Sequence, residues 1–175
     1  MTFVPMSQEI GMPPINSTRV ASTAAGRSTP WKLGDIIKAV DPVYGVGEFI
    51  YLLGVASTVI GSVVTWGGNA SGVPSFQTAL APATANLNQP LAVAMAANVG
   101  SQYGWYQISG HAVAATNGTL TADAPVYLAG SGQLSTSSVA GKQVEDARSI
   151  TATGTPAAGL AVIEINRPSA QGAIT

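Results

Sequence analysis

Short runs of alternating apolar and polar residues fill most of this chain, and no stretch keeps helical spacing for more than two turns. Tyr103–Ser109 (YGWYQIS) places Trp105, Gln107 and Ser109 on one face, with Tyr106 and Ile108 between them, and His111–Ala115 continues the run. LAVAMA (91–96) reads as a small-residue strand, Asp123–Leu128 starts another, and Gly130-Ser131-Gly132 turns the chain into Gln133–Ser137. Ser149–Thr155 alternates Ile150, Ala152 and Gly154 with hydroxyl residues, and LAVIEI (160–165) reads as the last strand before Arg167-Pro168. Upstream, strands are expected near 48–53 and 58–66, joined by Gly54-Val55-Ala56-Ser57, and Asn117-Gly118 signals a two-residue hairpin. Strands recurring every 8–12 residues or so predict an all-β body over 31–168, a compact β-barrel or β-sandwich of tulip-like shape.

The ends break this pattern. Pro5, Pro13, Pro14 and Pro30 exclude a helix from residues 1–30, where Phe3, Val4, Met6, Ile10, Met12 and Ile15 are scattered apolar anchors among small polar residues. A solvated terminus has no need of such anchors, so 1–30 reads as an extended arm that orders on a partner. Residues 169–175 read as a short tail.

Charge sharpens the picture. Of 175 residues only 9% are charged, against about 25% in an ordinary soluble domain, and the net charge is -1. From Phe49 to Ala122 there is no Asp, Glu, Lys or Arg. Seven scattered cations against eight anions do not make a nucleic-acid footprint. Interface cores are depleted in charge, so the distribution points to a subunit that sits in an assembly. Phe49–Trp66 is long enough to suggest a membrane span, but its Gly, Ser, Thr and β-branched residues favour strands, and no membrane partner is expected.

Candidate chemistry is sparse. With no Cys and one His, thiol and His-cluster metal sites are ruled out, and no cofactor is expected. His111 lies in QISGHAVAA and reads as a sheet histidine. There is no Gly-x-Ser-x-Gly elbow and no phosphate loop; Gly45-Val46-Gly47 lacks the third glycine of a dinucleotide fingerprint. Glu145 and Asp146 are adjacent and point to opposite faces of a strand. Nothing in the spacing of Asp123, Glu145, Asp146 and Glu164 predicts convergence. Tyr103, Trp105 and Tyr106 read as core or subunit interface, with a sugar-stacking platform as the alternative.

GVGEFIYLLGVASTVIGSVV (45–64), PLAVAMA (90–96), QYGWYQISG (102–110), APVYL (124–128) and GLAVIEINRP (159–168) together resemble the capsid decoration, or cement, proteins of tailed bacteriophages. The likeness spans about residues 33–168 and rests on a structural pattern. It implies a small β-rich structural protein, often a homotrimer, on the virion exterior. There it binds the major capsid protein where capsid subunits meet, and it has no enzymatic role. On that reading Phe3, Met6, Ile10, Met12, Arg19, Arg27 and Trp31 are expected to contact the capsid or a neighbouring subunit, and Tyr103, Trp105 and Tyr106 to form the trimer interface or core. Other phage structural proteins, such as a head fibre or tail component, and a carbohydrate-binding β module are the alternatives.

Overall fold

A computed structural model describes residues 1–6, 14–20, 31–68, 75–100 and 102–173. The protein is all-β, and no helix occurs among the described residues. In chain order the strands are β1 (Val4–Pro5), β2 (Arg19–Val20), β3 (Ile36–Asp41), β4 (Gly45–Leu53), β5 (Val63–Thr65) and β6 (Ala79–Leu80). They continue with β7 (Leu91–Ala94), β8 (Gln102–Ala115), β9 (Pro125–Gly130), β10 (Gln133–Ser135), β11 (Gln143–Ser149) and β12 (Leu160–Ala170). All strand pairs are antiparallel, in the order β1-β3-β4-β8-β12-β11-β9-β10, with β2 and the β6-β5-β7 group also joined through β8.

β8 is the hub, bonded to β4, β2, β7 and β12. It bends at Gly110, whose φ is +93° and whose missing Cβ would lie 2.4 Å from the Val46 carbonyl oxygen. Only glycine meets both demands. The Gln107 side chain, fully buried, donates from Nε2 to the carbonyls of Ser109 and His111 (3.0 Å each) and so ties the two sides of the bend together.

Three apolar cores follow from the strand period. Phe49, Tyr51 and Trp105 project to one side of β4 and β8, where Phe3, Ile15, Ala39 and Met95 meet them. Ile50, Leu52, Tyr106 and Ile108 project to the other, against Val64, Ala92 and Ala94. The opposite faces of β5 and β7 supply Val63, Leu91 and Val93 to a third core with Ala112, Ala114, Leu128, Leu134, Ile163 and Ile165. β5 and β7 are thus a layer shared between two cores, buried on both faces, and the packing is sandwich-like. The sheet curls around the third core without closing into a barrel. The β9–β10 turn meets β5 and the end of β6 through the bonds Val63 N–H to Gly132 O and Gly132 N–H to Ala81 O, with no ladder between them.

Several local expectations change. Asn117-Gly118 is a bend, and β8 does not pair with β9, so no two-residue hairpin forms there. The two strands expected near 48–53 and 58–66 do form, as β4 and the shorter β5, and they lie in different parts of the sheet. The alternating Ile150–Gly154 stretch is loop, because Thr151 and Thr153 hydroxyls accept the N–H groups of Val162 and Leu120 in place of a ladder. β12 runs to Ala170, which is buried, so the C-terminal tail begins later than residue 169.

Candidate functional site

The described parts of 1–30 lie on the chain's own body. β1 pairs with β3 (Val4 opposite Val40), and β2 pairs with β8 (Arg19 opposite Tyr103). Phe3 packs edge-on against Phe49 at 4.9 Å between centroids, and Ile15 is buried in the same core. Trp31 meets Trp105 edge-on at 5.6 Å. These contacts give the apolar anchors an intramolecular role. Asp41 secures the segment: its carboxylate accepts the N–H groups of Thr2, Val43 and Tyr44. Burial alone raises its pKa, but those three donors and the N-terminal ammonium outweigh burial and hold the carboxyl below the ordinary range.

The expected contact residues therefore separate. Phe3 is buried, Trp31 is half-buried, and Met6 is 62% exposed. Arg19 is placed by its backbone in β2; Ile10, Met12 and Arg27 lie outside the described residues. Trp105 and Tyr106 are fully buried and Tyr103 is half-buried against Tyr51, so the cluster is core within one chain and offers no exposed sugar platform. Burial pushes the Tyr106 phenol upward, against weaker opposing contacts from Thr78 and Asn98.

Two surfaces stand out. The first is apolar. On the side of β1, β3 and β4 away from Phe49, Val4, Val40 and Val46 lie opposite one another across three strands. Each is 41–52% exposed. Met6, Ile36 and Val43 are exposed beside them, Val43 at 77%. Lys38, Glu48 and Arg167 cross this face as an ion network in which two cations share one carboxylate, at 3.4 Å for Lys38–Glu48 and 3.1 Å for Arg167–Glu48. Burial raises the Glu48 pKa, but Arg167 and Lys38 more than offset it and hold the carboxyl low. Of these residues the sequence marked Val4 and Met6 as arm anchors, and Met6 as an expected capsid contact; the signal for the rest was Ile36, Lys38 and Val40 sharing one strand face.

The second surface is a polar trough of about 710 Å³ across β4, β8, β12 and β11. Ser109 and His111, Glu164 and Asn166, and Asp146 and Arg148 line it. Arg148 binds Glu164 (2.7 Å) and Asp123 (3.4 Å), so charges far apart in sequence meet. Glu145 takes another course and accepts the Ser169 hydroxyl. The sequence reading missed this convergence because β11 carries a bulge: its register against β12 shifts at Asp146, whose φ is +56°. Among the described residues, no group of three or more His, Asp or Glu is placed to hold a metal ion, and no helix is long and apolar enough to cross a membrane. Compared with models of known protein families and with curated proteins, the chain matches none.

Proposed function

We propose that this is a structural virion protein, a decoration protein that binds the outside of an assembled phage head through its major capsid protein and stabilises the shell. The observation that carries the reading is the exposed row Val4–Val40–Val46 with Met6, Ile36 and Val43 around it. Exposed apolar clusters of this kind mark interaction sites. Low charge elsewhere fits a subunit packed among neighbours, because covering such a surface desolvates few ions. A homotrimer on the capsid exterior belongs to the same proposal.

The mechanism is thermodynamic. A protein that binds the assembled shell and not its separated subunits stabilises the shell by linkage. Contacts to two or more capsid subunits add avidity, so each contact is free to be weak. The Lys38–Glu48–Arg167 network crosses the patch with both cations held on the one Glu48 carboxylate and leaves the valine row as the adhesive element.

The test is co-sedimentation of the full chain with expanded phage heads assembled without it. The wild type is expected to bind and to raise the temperature at which the heads open. A Val40→Lys/Val43→Lys variant is expected to fold, since both positions are exposed, and to lose binding at least about tenfold. Full binding by that variant overturns the role of the patch. A wild type that leaves the heads bare overturns the function.

A further inference from the structure

The polar trough is a surface of a different kind, and of its lining the head-binding reading uses only Val46 at the shared edge. Its floor is a grid. Antiparallel pairing sets Ser109 opposite Asn166, His111 opposite Glu164, and Glu164 opposite Arg148, on three adjacent strands. Neighbouring strands lie about 4.8 Å apart and alternate residues about 6.7 Å apart, which is the scale of one pyranose ring. The inward residues of the same strands, Ala112, Ile163 and Ile165, are core, so the backbone beneath the grid is held rigid. Tyr44 and Val46 form an apolar wall on the β4 side, and the bulge at Asp146 aims a carboxylate in from the β11 side.

We propose that this trough binds a neutral saccharide. A sugar hydroxyl both donates and accepts, and the grid offers both: carboxylates accept, the Arg148 guanidinium donates, and the serine, asparagine and histidine side chains do either. Arg148 is outnumbered by Glu164, Asp123 and Asp146, so the trough has no positive field of the kind an anionic ligand requires. The Tyr44 ring and the Val46 side chain supply apolar surface for the C–H face of a pyranose.

The test is an amide NMR titration of the full chain with a panel of neutral oligosaccharides built from glucose, galactose, mannose and N-acetylglucosamine, with tetralysine as comparator. At least one sugar is expected to shift the amides of 109–111, 146–148 and 164–166 saturably. Asn166→Ala and Ser109→Ala are each expected to weaken that binding about tenfold with an unchanged melting temperature. The Val40→Lys/Val43→Lys variant is expected to bind the sugar like wild type, which separates this site from the head-binding patch. No saturable shift with any sugar, shifts confined to other regions, or a response to tetralysine alone overturns the proposal.

Discussion

β8 is built in two contrasting halves. Before the bend at Gly110, Tyr103 and Trp105 are roofed by Phe3, Ile15 and Trp31 from the N-terminal segment. On either side of it, Ser109 and His111 line an open polar trough: the register shift against β4 sets Gln107 opposite Phe49 but Ser109 opposite Glu48, so these two side chains turn to the other face of the strand. A bulge and the left-handed Gly110 separate the halves, and only the first is roofed. An aromatic half needs a cover to leave water, whereas a half of hydroxyls, imidazole and carboxylates is stable in contact with it. The N-terminal segment covers the first half, and Tyr44, which touches both the aromatic core and the trough, marks where the cover stops.

Truncating the covered half has the largest expected effect. Trp105→Ala is expected to cost about 3–5 kcal/mol in denaturant unfolding, because the indole is fully buried among five or more core side chains. Phe3→Ala removes part of the roof and is expected to cost about 3 kcal/mol. A loss below about 1 kcal/mol for Phe3→Ala would mean that the segment rests loosely on the body. At the boundary, Gly110→Ala is expected to cost about 2 kcal/mol, since a methyl there meets the Val46 carbonyl and the left-handed backbone resists it.

Acid acts next. Asp41 and Glu48 both have carboxyls held below their ordinary values, so their contribution is complete above the unfolded carboxylate range near about 4 and is lost as pH falls through the lower folded values. The melting temperature is expected to drop across that window, and less so in Asp41→Asn, whose starting stability is lower. The open half gives the smallest effects. Arg148→Ala is expected to change stability by less than about 1 kcal/mol, because both of its ion pairs are exposed.

Much of this was legible in the alternation of particular residues. YGWYQIS and LAVIEI read as strands and lie in β8 and β12, although the bulge in β8 takes Ser109 off the face of Trp105 and Gln107 on which simple alternation places it. The Gly130-Ser131-Gly132 turn was legible because all three residues need positive φ, which glycine supplies at two of them. Ser149–Thr155 misled because threonine hydroxyls bond backbone donors directly and mimic a strand pattern inside a loop. The N-terminal segment misled for another reason. Phe3 and Ile15 do need a partner, as their apolar character says, but composition does not say whether that partner is another chain or the same one. The trough was hidden because its members come from strands adjacent only after folding, and because the Asp146 bulge breaks the simple alternation by which a neighbour's direction is read.

The most direct test of the account is hydroxyl-radical footprinting of the protein bound to phage heads. Met6, Val40 and Val43 on the apolar face are expected to lose reactivity on binding, while His111 in the trough keeps the reactivity of the free protein. Protection of His111 with Met6 and Val43 still fully reactive would contradict the assignment of the apolar face as the head-binding surface.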